Sequence, residues 1–445
     1  MNVEELASRR PWVGSEVDAF IQENTARYLM MSNAELDQEL ERLVTTHEQY
    51  MDHQCVQLYA GTNIVNPRVG RMLSSTLGSR ASLGYPGAKY NMGMQYGDQI
   101  EIMLAALLKK LFDAPYVEYR VPSGTIANLY VYMAATKPGD TVMAFSDAAA
   151  GHVSHHAAGA AGFYGLDVHD VPFDAARMDI DEAAFVEKAR ALRPRLIIVA
   201  GSMCLFPYSL RCVRQVADEI GAYVLYDAAH MGGLIAGGHF QQPLHEGADV
   251  MTGSTYKSFG GPPSGVILTT SAELADRLER VAYPGMTANF DLSKAAAMVV
   301  AVLDLLEFGP EYGAACIANA QALAEALDEY GVTVHHVEGR GFTGSQHVAV
   351  QALAYGGGNR ASARLSGANL LMSSITLPIA ELPDDANAIR IGTQEVTRWG
   401  IRPQDMRTVA KFMARVLVEG EEPTRVRPDV VDFRAQFQAL HFVRQ

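Results

Sequence analysis

An α/β fold with a mainly parallel central sheet, followed by a smaller α+β region, is predicted by three observations. Short β-branched runs ("TVMAFS", "RLIIVAG", "AYVLYDAA", "SGVILTT") alternate with helix-patterned segments between residues 58 and 290. The runs are apolar throughout rather than alternating, as strands covered on both faces are. A long helical pattern, "DLSKAAAMVVAVLDLLEFGPEYGAACIANAQALAEALDEYG", then leads into a stretch of different character.

The elements follow in order. Residues 1–57 are charged and helix-patterned ("NAELDQELERLVTTHEQYM"), with little core of their own, and predict an arm that packs on another element or on a partner subunit. Residues 58–290 form the large domain. Its helices are "DQIEIMLAALLKKLF", "TIANLYVYMAATK" and "SLRCVRQVADEIG". Residues 291–445 comprise the linking helix and the small domain, with "VTVHHVEG", "HVAVQAL", "AIRIG" and a final helix, "PQDMRTVAKFMARVLVEG". In open sheets of this kind ligands bind beyond the carboxyl ends of the strands, which puts Ser146, Ser202 and Asp227 on one rim.

The bulk composition narrows the partners. The 445-residue chain is 49% hydrophobic and carries a net charge of −14, with no run of basic residues, so nucleic acid is not expected as a partner. No apolar run approaches the roughly 20 residues of a membrane helix, and the N-terminus lacks a signal-peptide core. Cys55, Cys204, Cys212 and Cys316 have no metal-ligand spacing and read as reduced thiols. The expectation is a cytoplasmic enzyme acting on a small molecule.

Several residues could carry chemistry. Lys257 lies in "MTGSTYKSFGG" among hydroxyls and glycines, with no acid nearby; it is either a surface lysine in a glycine-rich loop or a desolvated amine that attacks an aldehyde. Asp227 follows "AYVLY". It either caps the next helix or pairs with a protonated ring nitrogen of a pyridine cofactor, with His230 as its hydrogen-bonding support. Ser123, Gly124 and Thr125 open a helix, as an ordinary cap or as a phosphate-binding turn. In "AGHVSHHAAG", His152 is suited to stack on a flat cofactor; His155 and His156 lack the carboxylate or cysteine that would complete a metal site, and no metal is expected. Arg390 lies in a short strand of the small region, in a salt bridge or as a clamp on a substrate carboxylate.

The order and wording of "LGYPGAKYNMGMQYGDQIE", "PSGTIANLYVYMAATKPGDTV", "GHVSHH", "YDAAHMGGLIAGG", "STYKSFGGPPSGVI" and "IRIGTQEVTRWG" resemble the serine hydroxymethyltransferase family over roughly residues 55–415. The resemblance implies a fold-type I pyridoxal 5'-phosphate enzyme with a seven-stranded type of central sheet. It implies that Lys257 forms the imine with the cofactor, that Asp227 contacts the pyridinium nitrogen, and that His152 stacks on the ring. His230 and Ser202 would bind near the 3-oxygen. Ser123, Gly124, Thr125 and Ser254 would serve the cofactor too, aided by Gly261 of a neighbouring subunit. Arg390 would take the amino acid's carboxylate, with Tyr90, Tyr256 and Thr62 on the substrate side. A homodimer or dimer of dimers with shared sites is implied.

The departures from the family pattern fall on the substrate half. The family's "YAEGYPG" reads "ASLGYPG" here, so Leu83 stands in place of a glutamate and Ala81 in place of a tyrosine. "ASEN" reads "AGTN", which leaves Gly61 and Thr62 for a serine and a glutamate. Tyr90 survives from a tyrosine pair whose second member is Asn91, and Tyr256 replaces a histidine. An alkyl side chain at 83 cannot move a proton, so the expected reaction is folate-independent. It is aldol or retro-aldol chemistry at Cα–Cβ of a β-substituted amino acid bound as an external aldimine. β-Elimination (C–S cleavage) or decarboxylative deamination of a cysteine conjugate, and folate-dependent hydroxymethyl transfer to or from serine or α-methylserine, stand as alternatives.

Overall fold

The computed structural model describes residues 9–445 other than 200, and divides into two compact units, residues 1–55 and 56–445. In the first, helices Ser15–Leu29 and Asn33–Glu48 contain no buried residue. The second helix begins at a capping box in which Ser32 and Glu35 satisfy each other's backbone N–H groups.

The second unit is built on a seven-stranded sheet. Its strands are β1 (Tyr116–Val121), β2 (Thr141–Ala144), β3 (Asp167–Asp170), β4 (Leu196–Val199), β5 (Tyr223–Asp227), β6 (Val250–Ser254) and β7 (Gly265–Thr269). Their order across the sheet is β1-β7-β6-β5-β4-β2-β3. Only β7 runs against its neighbours. The sheet is buried on both faces, because successive side chains of a strand point oppositely. In β4, Ile197 and Val199 join one core, with Leu104, Leu108 and Phe112 of helix Gln95–Phe112. Leu196 and Ile198 join the other, with Ala127 and Val131 of helix Gly124–Ala135. This is why the inner strands read as unbroken apolar runs.

The long helical pattern is one helix, Leu292–Glu329, of 38 residues. Its first half, including Leu292, Met298 and Leu305, packs in the core of the large sheet. Its last turns, through Leu323 and Leu327, pack in the core of the small region. That region holds an antiparallel sheet of β8 (His347–Gln351), β9 (Ser373–Ile375) and β10 (Ala388–Gly392), in the order β8-β10-β9.

Two expectations are corrected here. "VTVHHVEG" forms no strand: Val334 makes a single bridge to Val350. Helix Pro403–Leu417 is not the final one, since Pro423–Arg434 follows and buries Val426, Val430 and Phe433 in the small core. Pro428 inside that last helix weakens its helical signal in the sequence. None of the four cysteines forms a disulfide.

Candidate active site

The carboxyl ends of β4, β5 and β6 and the start of helix Gly124–Ala135 converge on one pocket. Ser123, Gly124, Thr125, His152, Ser202, Asp227, His230, Ser254, Tyr256 and Lys257 line it. Sequence alone named all of these. Ser146 lies on the same rim but caps a short turn by accepting from the Ala149 N–H at 3.3 Å.

Lys257 is not a surface lysine. It is 8% exposed, and its Nζ lies 3.0 Å from Nε2 of His230. Among the described residues no carboxylate comes within ion-pair distance of it. Burial pushes its pKa down to about 8, reinforced by the positive charge of Arg390 and opposed by Asp227. Roughly a tenth of this amine is therefore uncharged at pH 7, far more than for an ordinary lysine, and so nucleophilic.

Asp227 ends β5 and is fully satisfied. Oδ1 accepts from the Ala229 N–H at 2.8 Å, and Oδ2 accepts from Asn128 Nδ2 at 2.8 Å and faces His155 Nε2 at 3.1 Å. Burial alone would raise its pKa, but the hydrogen bond and charge of His155, with His152 and Asn128, hold it well below the usual carboxylate range. The site thus keeps a buried anion. Asp227 does not cap the following helix, whose cap is Met231; it closes a two-residue turn instead.

The support expected from His230 comes from His155, because the His230 ring is turned to Lys257. His155 was set aside in the sequence for want of a metal set, and no group of ligands able to hold a metal occurs among the described residues. Asn128 was also missed. It lies one helical turn after Gly124, and its amide is oriented by the Thr252 hydroxyl, which donates to Asn128 Oδ1 at 2.7 Å.

His152 accepts from the Ser154 N–H through Nδ1 at 3.2 Å, and burial lowers its pKa to about 4. It is a neutral flat ring on the pocket wall. Ser123 is both cap and pocket residue: its Oγ accepts from the Ile126 N–H at 3.3 Å. A Cβ on Gly124 would fall 2.1 Å from Ser254 Oγ, so any larger residue there would have to displace that hydroxyl.

Arg390 is 9% exposed and has no ion pair among the described residues, which removes the salt-bridge reading. Nη1 donates to the Ser202 carbonyl at 2.8 Å, while Nε and Nη2 reach Ser373 Oγ at 3.3 and 3.2 Å. Thr62 donates to Glu395 Oε2 at 3.2 Å. Tyr90 is 81% exposed and Gly261 packs beside Ala301; neither lines the pocket of its own chain. Leu83 sits half-buried just before a short hairpin (residues 84–89), its N–H donating to Asn91 Oδ1 at 3.2 Å and its carbonyl accepting from the Tyr90 N–H at 3.0 Å across the hairpin base. Asn91 also donates to the Ala81 carbonyl, so it ties both ends of the altered loop.

A larger cavity of about 410 Å³ lies apart, against β1. Its buried acids Glu101 and Glu118 pair with Lys89 and Arg120, whereas Lys257 and Arg390 have no ion pair among the described residues.

Residues 33–413 match the family model described as serine hydroxymethyltransferase. The chain belongs to the serine hydroxymethyltransferase family. Within it, the chain is 45% identical to an alpha-methylserine aldolase of Ralstonia sp, over 99% of this chain and 100% of that one. It is 39% identical to the serine hydroxymethyltransferase of Archaeoglobus fulgidus, over 90% and 91% of the two chains. The solved structure of an L-threonine transaldolase from Pseudomonas fluorescens, in the internal aldimine state, superposes with a TM-score of 0.84 at 26% identity, covering 92% and 94% of the chains.

The chain is thus a fold-type I pyridoxal 5'-phosphate enzyme. The pocket fits that cofactor on its own terms. It offers a partly neutral buried amine for the aldehyde, a permanent anion for the ring nitrogen, and a glycine turn at a helix start for the phosphate. Nδ1 of His230 is buried without a partner, as a group facing a ligand would be. No helix of the described residues is long and apolar enough to cross a membrane.

Proposed function

We propose that this protein cleaves and forms the Cα–Cβ bond of α-methylserine or a closely related α-substituted β-hydroxy amino acid, without folate. In the cleavage direction the bond between Cα and the hydroxymethyl carbon breaks. Formaldehyde leaves, a proton returns to Cα, and alanine is the second product. The observation that carries this reading is Leu83: the cofactor half of the pocket is complete, yet an alkyl side chain stands at the family's proton-handling position. The full-length similarity to alpha-methylserine aldolases supports it.

Pyridoxal phosphate, when bound, supplies the electron-withdrawing ring that stabilises negative charge at Cα. The chain's own residues do the rest. Lys257 would hold the cofactor and, once released from it, its amine could deliver a proton toward Cα, with His230 3.0 Å away to orient it. Asp227, kept ionised by His155 and Asn128, would favour a protonated ring nitrogen. His152 would offer the ring a neutral plane. Ser123, Gly124, Thr125 and Ser254 would take the phosphate, and Arg390 would take the substrate carboxylate. Ala81 and Leu83 are smaller or less polar than the tyrosine and glutamate the family carries there, which suits an apolar substituent on Cα. Tyr90 and Gly261, which do not line their own chain's pocket, fit a homodimer in which each subunit completes its partner's site. A cytoplasmic setting suits four free thiols.

Product analysis tests the reading. With α-methylserine and no folate, formaldehyde and alanine should appear in equal amounts. Pyruvate and thiol from an S-substituted cysteine, with no formaldehyde from α-methylserine, would replace this assignment by a C–S lyase.

A further inference from the structure

Arg390 presents a buried guanidinium whose partners are all neutral: the Ser202 carbonyl and the Ser373 hydroxyl. Such a charge calls for an anion, and one side chain beside it has no role so far. The ring centroid of Tyr59 is 5.9 Å from Arg390 Cζ.

The placement of Tyr59 is built in. The Gly392 N–H donates to the Leu58 carbonyl at 2.8 Å, which docks this segment two residues beyond Arg390 on β10. Gln394 Nε2 then donates to the carbonyls of Tyr59 and Thr62, at 2.9 and 2.8 Å, and pins the turn between them. Across that turn the Tyr59 ring folds back over Gly61. A Cβ on Gly61 would stand 2.8 Å from Cζ of Tyr59 and 2.9 Å from its hydroxyl oxygen. Gly61 has no positive φ to explain its choice. The space it leaves is filled by the phenol. The half-buried Tyr256 is close enough that burial and then Tyr59 raise its pKa, so the two phenols share one neighbourhood.

We propose that Tyr59 is a specificity-determining residue: its hydroxyl and Arg390 together bind the amino acid's carboxylate, and Gly61 is glycine because the ring lies there. The serine hydroxyl that the family carries at position 61 is missing, and Tyr59 returns a hydroxyl to the same turn from two residues earlier. The inference rests on the reading of Arg390 as the carboxylate clamp.

Tyr59→Phe keeps the ring and removes the hydroxyl. KM for α-methylserine should rise about 10-fold while kcat stays within about 2-fold, as for the loss of one hydrogen bond to a charged group. The preference of the holoenzyme for alanine over alaninamide, read as a ratio of dissociation constants from the absorbance change on binding, should fall by the same factor. Gly61→Ala should reproduce the loss in the Tyr59 enzyme and add nothing in a Tyr59→Ala background. The inference is overturned if Tyr59→Phe keeps the alanine-to-alaninamide ratio while Arg390→Lys loses it. If Arg390→Lys also keeps the ratio, the carboxylate reading of Arg390 fails and the role of Tyr59 falls with it.

Discussion

His155 Nε2 lies 3.1 Å from Oδ2 of Asp227, and both side chains are buried. The pair explains how a buried acid can stay charged with so little water around it. Asp227 has its folded-state pKa below the ordinary value of 3.8. Its contribution to stability is therefore present above about pH 4 and is lost as pH falls through the lower folded value. His155→Phe should move that loss to higher pH by about 1 unit. Acid denaturation midpoints and the acidic limb of kcat/KM both report it. Asp227→Asn should cost kcat on the order of 100- to 1000-fold even with cofactor bound.

Lys257, with its pKa near 8, should govern cofactor uptake. Only the neutral amine attacks the aldehyde. In the cofactor-free protein the rate of covalent capture should climb about tenfold per pH unit below 8 and level off above it. Stopped-flow absorbance follows the reaction. Lys257→Arg should bind the cofactor reversibly and fail to retain it after borohydride reduction.

Gly124→Ala should be costly out of proportion to one methyl group. Its Cβ would meet Ser254 Oγ at 2.1 Å, so the Ser254 side chain must turn out of the way or the turn must shift. A loss of about 1–3 kcal/mol in stability is expected, with weaker cofactor binding. Ser254→Gly in the same chain should recover part of both, as measured by thermal denaturation and cofactor titration.

Tetrahydrofolate should not accelerate glycine formation from serine. Leu83 offers no proton, and its backbone is fully engaged by Asn91 and Tyr90. A rate with folate that matches ordinary serine hydroxymethyltransferases would show that another group replaces the missing acid.

The fold was legible where burial leaves a mark on the sequence. Strands β4 and β5 are covered on both faces and show as apolar runs. β1 and β3 were not singled out: they are the two edges of the sheet and carry charge, as in "YVEYRV" and "DVHD". The reversed direction of β7 leaves no trace in composition. In the site, Lys257, Asp227 and Arg390 stood out because a charged residue in an apolar or glycine-rich setting needs a reason. His155 and Asn128 did not, since they act on Asp227 from 72 and 99 positions away. Tyr59 became visible only through the space its ring takes from Gly61.

The 38-residue helix Leu292–Glu329, about 57 Å long at 1.5 Å per residue, is a spine common to both cores. Lys257 belongs to the part built on one half of that rod and Arg390 to the part built on the other. The distance between amine and guanidinium is thus set when the chain folds, before any amino acid arrives.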